Sequence, residues 1–471
     1  MAQTYNVGET KVRPGGYFNI QKTGNDAQAG VVNGVTAVLF KADFGPLGSV
    51  TEISKDEDYT SIYGNGLTTD AIQEAINGGA KKIVACRIGN GGTTATIKLK
   101  DTSQTPADAV TITAKYPGAK SFAVTIREKL SDSTKKECII YTGTKEFEKF
   151  EFVAGEGEAG ALVAAIASSK NFTAEVATGK ESAVLAVVSQ SVFTAGTNPT
   201  VTNADYSAAF EQVEPYDFNT ICVDTEETTV HLLLQAFVSR IFDVGQLVQA
   251  VVAEKHTVEL ETRENHAAAF NDEKMHYVLN AYVSEQGTEI DGYQTAARIA
   301  GMIGACESNT SLTHTVINGF TDILEKLTNT QIENAETKGC IVLTYNSEKQ
   351  VWIDNAINTL ITPASNQDSG WKKIRRVKTR FELIRRMNVI QDNLAGKVDN
   401  DSNGRKAVIA QLQEVGDNMI SEGKLNAFSV ALSDTNTPDG DSAWFEYDVV
   451  DKDSMEHIYG IYRFRFSTNI D

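Results

Sequence analysis

"FNTICVDTEETTVHLLLQAFVSRIFDVGQLVQAVVA", residues 218–253, reads as one strand, helix, strand unit. The run "FNTICVD" is apolar with a β-branched centre and ends in acidic residues suited to the start of a helix. "TTVHLLLQAFVSRIF" supplies the helix, and "LVQAVVA" is again a short, continuously apolar run. Strands of that kind are buried on both faces, which requires a parallel sheet covered by helices.

The alternation continues through the helix "TVELETREN", the strand "MHYVLNAYVS", the helix "DGYQTAARIAGMIGACE" and the strand "KGCIVLTYN". It is also present upstream: "VTAVLF" leads through a glycine-bearing loop to "TTDAIQEAINGGAKKIVACRIG", where Thr69 or Asp70 starts a helix that Gly78 and Gly79 end. Between these two α/β stretches the period changes. "TATIKLK", "VTITAKY" and "FAVTIRE" alternate apolar and polar residues, and "ECIIYTG" and "FEKFEFV" follow at short spacing. One helix, "EAGALVAAIASS", interrupts this block before "FTAEVA" and "SAVLAVV" return to strand. It is read as an inserted β-rich domain over 93–203.

The remaining segment is predicted to be α+β. "WKKIRRVK" is expected as a basic strand. "TRFELIRRMNVIQDNLAG" is expected as a helix, with Thr379 and Glu382 spaced as a capping box. A second helix follows Gly404, and strands end in "HIYGIYRFRF". The fold class is therefore a multidomain α/β and α+β chain with an α/β sandwich core. The expected parts are an N-terminal arm over 1–22, an α/β domain in two pieces over 23–92 and 204–360 flanking the insert, a C-terminal α+β domain over 361–456, and a C-terminal arm strand over 457–471.

Composition narrows the function. The chain has 471 residues and 43 Lys plus Arg against 62 Asp plus Glu. A net charge of −19 argues against general binding to nucleic acid or anionic membrane. The five cysteines are scattered without a CxxC and read as reduced thiols. No signal-peptide pattern opens the sequence, and its most apolar long stretch is interrupted by Arg240 and Asp243. Neither HExxH, GxSxG nor GxxxxGK[ST] occurs, so no cofactor is expected and the chain is not expected to be an enzyme. "DNDSNG", 399–404, resembles half of a calcium loop, but its twelfth position is Ala410, so it is read as an interhelical turn.

Two features stand out. Residues 371–386 hold eight basic side chains (Lys372, Lys373, Arg375, Arg376, Lys378, Arg380, Arg385 and Arg386) and one Glu, a sign reversal that suits an acidic partner. At the C-terminal end, Ile458, Tyr459, Ile461, Tyr462, Phe464 and Phe466 make a strand pattern with Arg463 and Arg465 opposite the aromatic positions. Such a strand either edges its own sheet or is offered to a neighbour's. The opening "RPGGYFNI", 13–20, poses the same question: Pro14, Gly15 and Gly16 form a turn or hinge before Tyr17, Phe18 and Ile20.

Four stretches together resemble contractile phage tail sheath proteins. They are "RPGGYFNI"; "AKYPGAKSFAVTI", 114–126; "AARIAGMIGACESNTSLTHTVING", 296–319; and the C-terminal series "KKIRRVKT", "NLAGKV", "NGRKAVIA" and "DSMEHIYGIYRFRF". The form resembled is the short one of Gram-positive phages, defective prophages and R-type bacteriocins. Gly16 stands where a β-branched residue is common, and "YPGAKS" lacks the usual aromatic-Gly-Asn step.

The resemblance implies a structural subunit that forms hexameric rings, stacked helically around an inner tail tube inside a virion or tail-like particle. It implies arms that pair as strands with neighbouring subunits and a C-terminal domain that faces the tube through charges. Its expected partners are itself, the tube protein, and baseplate and terminator proteins. The arms are expected to hinge at about 21–26 and 451–457. The rival reading is an α/β enzyme with a pocket near Asp224.

Overall fold

The computed structural model describes residues 33–464, together with the backbone of Gln3–Thr4 and Tyr17–Phe18. It divides into two units. One contains Val32–Arg380 and Asp451–Asp471, and the other contains Met1–Val31 and Phe381–Val450.

The first unit is organised by a seven-stranded sheet. Across it lie Cys340–Ile341, Met275–Val278, Gln249–Ala253, Thr220–Val223, Val35–Phe40, Lys82–Arg87 and Val50–Ser54. Every pair is parallel except the last, where Val50–Ser54 runs antiparallel to Lys82–Arg87. The stretch 218–253 thus supplies two adjacent parallel strands and the helix Thr228–Asp243 between them. Alternate residues divide between two cores: Val38 and Phe40 face one, Ala37 and Leu39 the other. Burial on both faces explains why these strands read as unbroken apolar runs.

One face is covered by Asp70–Asn77 and Tyr293–Ala305, whose backbones approach closely. A Cβ on Gly301 would lie 2.1 Å from the Ala75 carbonyl oxygen, and one on Gly78 2.2 Å from that of Arg298. A buried ion pair crosses the same junction, Arg298 Nε to Glu74 Oε2 at 2.8 Å, with the Tyr282 hydroxyl also donating to Glu74.

Residues 96–192 form a separate antiparallel sandwich. One sheet has the order Phe172–Val176, Asp108–Ala114, Thr96–Lys100. The other has Lys145–Val153, Asp132–Thr142, Ala123–Lys129, Val188–Val192. Phe122, Phe172, Phe193 and the helix Glu158–Ile166 fill the space between them. Isolated bridges Asn90↔Thr200, Thr93↔Thr197 and Thr96↔Thr194 bring its entry and exit strands together. The last strand lies at Val188–Val192, six residues beyond the start of the "SAVLAVV" run expected to form it.

The second unit pairs most of the helix Ile374–Leu394 with Ser402–Ser421 and a two-stranded sheet, Leu425–Leu432 with Phe445–Asp451. Leu383, Met387, Leu412, Met419, Phe428 and Val430 form its core. Gly416 lets Phe428 pack on the helix backbone, since a Cβ there would lie 2.0 Å from the ring. A charged quartet is embedded beside it. Arg386 meets Glu382 and, at 2.8 Å, Glu422, while Lys424 meets Glu382 at 2.7 Å and Glu422 at 2.6 Å.

Two expectations fail here. "WKKIRRVK" is a 3-10 turn, Ser369–Lys372, followed by helix from Ile374, because buried Ile374, Val377 and Phe381 recur at three- and four-residue intervals. Thr379 is consequently inside the helix and caps nothing; its hydroxyl donates to the carbonyls of Arg375 and Ser308.

Candidate assembly surface

The basic stretch turns inward. Arg376 makes a two-pronged ion pair with Asp451, Nη2 to Oδ1 at 2.6 Å and Nε to Oδ2 at 3.0 Å, and Arg380 Nε reaches the same carboxylate at 2.9 Å. Both arginines also reach Asp368, at 3.0 and 3.4 Å. One turn earlier, Lys373 binds Asp453 at 2.8 Å and Glu456 at 2.9 Å. Glu456 further accepts from Ser311, Thr313 and Ser454. Three cations thus clasp 451–456. Burial opposes ionisation of Asp453, yet the Lys373 ammonium holds its carboxyl below the ordinary range. Asp451 raises the already high basicity of Arg376.

The other basic residues are committed as well. Lys378 Nζ donates to the carbonyls of Ile303 and Cys306 and lies 3.1 Å from Cys306 Sγ, so it caps the C-terminal end of Tyr293–Ala305. Lys372 donates to the Ile361 carbonyl, Arg386 belongs to the quartet, Arg375 is buried and Arg385 is half-buried. The sequence pointed to this cluster but not to its partners. The acidic residues of "DKDSME", 451–456, are the signal that would have found them.

Directly after the clasp the chain loses its contacts with the fold. Residues 452–464 carry no strand pairing, so the expected C-terminal strand is not part of any sheet among the described residues. Ile458, Tyr459, Ile461, Tyr462 and Phe464 are 80, 92, 84, 83 and 93% exposed. Five large apolar side chains in seven residues, each that open to water, form one contiguous exposed apolar segment. The expected hinge at 451–457 is shortened by the clasp, which fixes 451–456 and lets the chain go only from His457.

The complementary feature is the pair Leu425–Leu432 and Phe445–Asp451. Phe428, Val430, Phe445 and Tyr447 pack on the helices, whereas Glu446, Asp448 and Val450 are exposed. The sheet has only two strands among the described residues, so each outer edge presents unpaired backbone groups. A lone pair of strands is marginal without further strands or a packed face. At the N-terminal end, Tyr17–Phe18 pair in parallel with Gln3–Thr4. Pro14, Gly15, Gly16, Ile20, Phe466 and the expected hinge at 21–26 lie outside the described residues.

Asp224, the anchor of the rival reading, is fully engaged. Its Oδ1 accepts from the Tyr206 hydroxyl at 2.6 Å, and its Oδ2 accepts from Lys41 N at 2.8 Å and from the Thr68 hydroxyl, beside Lys41 Nζ at 3.1 Å. The crevice where strand order reverses is thus filled by the chain's own side chains. Asp401 serves as the cap of Ser402–Ser421, accepting from the backbone of Asn403 and Gly404.

Comparison with known proteins agrees with this architecture. The phage-like element PBSX protein XkdK of Bacillus subtilis (strain 168) is 24% identical, over 80% of this chain and 78% of its own. The crystal structure of a sheath tail protein from Desulfitobacterium hafniense superposes with a TM-score of 0.70 at 20% identity, covering 93% of this chain and all of that one. The helical sheath of the anti-feeding prophage in its contracted state gives 0.55 at 12% identity, covering 98% and 100%. Residues 200–359 match the family described as phage tail sheath protein central domain, so that stretch carries a phage tail sheath domain.

Proposed function

We propose that this sheath subunit polymerises as hexameric rings around an inner tail tube, and that its shortening drives the tube through a target envelope. Subunits are linked by strand exchange: 457–464 of one copy, and its N-terminal arm, pair with the open edges of Leu425–Leu432 and Phe445–Asp451 in neighbouring copies. The observation that carries this reading is the exposed apolar segment beyond Glu456 in a chain whose two-stranded sheet has free edges. Main-chain pairing supplies affinity and alternating side chains supply register.

In this arrangement Tyr462 and Phe464 fall on the side of Phe445 and Tyr447, and Arg463 falls beside Glu446 and Asp448. The clasp holds the arm's root while the arm itself turns about His457. Contraction needs no bound fuel, because an extended array can be a metastable state released into one that buries more surface. Contact with the tube, and with baseplate and terminator proteins, is proposed to be electrostatic, through the unit containing Phe381–Val450.

Electron microscopy of concentrated purified protein tests the reading. Striated tubes are expected; monodisperse particles at all concentrations and salts would refute it.

A further inference from the structure

Cys86, Cys138, Cys222 and Cys340 are buried, and burial pushes the thiols of Cys86 and Cys138 up to about 12. The same cause raises Cys222 and Cys340. Such thiols are inert, because the thiolate is the reactive form and an oxidant cannot reach them. Cys306 differs from all four. It is half-buried, it directly follows the helix Tyr293–Ala305, and it lines an open cavity of about 290 Å³ with Asn77, Gly78, Met302, Leu312 and Ile317.

An amine stands beside it. Lys378 Nζ lies 3.1 Å from Cys306 Sγ. The same nitrogen donates to the carbonyls of Ile303 and Cys306, which take two of its three N–H groups and leave the third for the sulfur. Lys378 is only 9% exposed, and no carboxylate lies within 4.0 Å of its nitrogen among the described residues. Backbone acceptors at a helix end therefore fix where the nitrogen sits. A flexible four-carbon stem is already ordered with nitrogen and sulfur in contact, which is the arrangement that favours reaction between them.

We propose that Cys306 and Lys378 are an oxidative modification site, at which hydrogen peroxide joins Sγ to Nζ as a sulfenamide. In the first step Sγ attacks peroxide: the O–O bond breaks, an S–O bond forms, and one water leaves, giving a sulfenic acid. In the second, Nζ, its extra proton released to water, attacks Sγ. The S–N bond forms, the S–O bond breaks, and the departing hydroxide takes a proton from nitrogen as a second water. Thiol, amine and one peroxide thus give a sulfenamide and two waters, the sulfur losing the two electrons that the peroxide gains. The product ties the end of Tyr293–Ala305 covalently to Ile374–Leu394, and a thiol reverses it. All the groups belong to one chain, so the test does not depend on polymerisation.

The test is mass spectrometry of the full chain after treatment with hydrogen peroxide, blocking of free thiols with iodoacetamide, and tryptic digestion without reductant. The expected product is peptide 299–326 joined to peptide 377–380, at the sum of their masses less two hydrogens, with fragments that place the bond at Cys306 and Lys378. Dithiothreitol is expected to abolish it. Lys378→Arg keeps a cation but offers no amine, so the joined peptide is lost and dimedone, which traps sulfenic acids, labels Cys306 instead. Should that variant not fold, the wild-type fragments decide alone. Recovery of Cys306 only as the iodoacetamide adduct, the sulfinic acid or a disulfide, or a joined peptide whose bond lies elsewhere, overturns the proposal.

Discussion

Arg376 and Asp451 meet through two parallel N–H···O contacts of 2.6 and 3.0 Å, joining the start of a helix to the last residue of a strand 75 positions later. Both side chains are largely buried, and a two-pronged guanidinium–carboxylate pair is among the stronger polar contacts. Asp451→Asn leaves Arg376 and Arg380 without their shared charge partner. It is expected to cost about 2–4 kcal/mol in urea unfolding and to expose 452–456 to proteolysis. Wild-type resistance at that site in the variant would show that the clasp does not hold the arm's root.

The helix crossing at Gly301 predicts intolerance of even one methyl group. Gly301→Ala places its Cβ against the Ala75 carbonyl, a backbone atom that cannot swing away. Overpacking of this kind costs about 1–3 kcal/mol, more than the helix propensity of alanine returns. Gly143→Ala, at a positive φ but with nothing within 4 Å, is the milder comparison.

The Glu382, Arg386, Glu422, Lys424 quartet predicts an acid limb of stability. Burial raises the Glu422 carboxyl, but Arg386 and Lys424 outweigh it and lower it to about 2, from an ordinary 4.5. A depressed folded value stabilises above the unfolded value, so this contribution is full above pH 4.5 and declines as the pH falls toward 2. Denaturant titrations of wild type and Glu422→Gln are expected to converge as the pH is lowered through that window.

Glu336 has the opposite sign. Burial, then the adjacent Asp354, pushes its carboxyl up to about 7, and its Oε1 has no donor. A raised folded value means stability is lost as the pH rises from the unfolded value of 4.5 through about 7. Glu336→Gln is expected to be more stable than wild type at pH 8 and to lose that advantage near pH 4.

The parts legible in the sequence are those whose partners are close by or whose pattern is self-sufficient. Strands such as Gln249–Ala253, buried on both faces, announced a parallel sheet, and the period-two runs announced the sandwich. "WKKIRRVK" was misread because its charges drew attention from the three- and four-residue recurrence of Ile374, Val377 and Phe381. Its role was invisible for another reason: the carboxylates that neutralise it lie at 451–456, and no local pattern links the two. The alternation of Tyr462, Arg463 and Phe464 reads as a strand in the sequence, yet among the described residues no strand pairs with it.

Donation of this segment to a neighbouring subunit is tested by a chain ending at Glu456. The truncation keeps the clasp and removes only residues from His457 onward, whose described large apolar side chains are at least 80% exposed. Wild-type thermal unfolding of the isolated subunit is expected, with no striated tubes by electron microscopy at any concentration. Tubes of normal form from the truncated chain would contradict it.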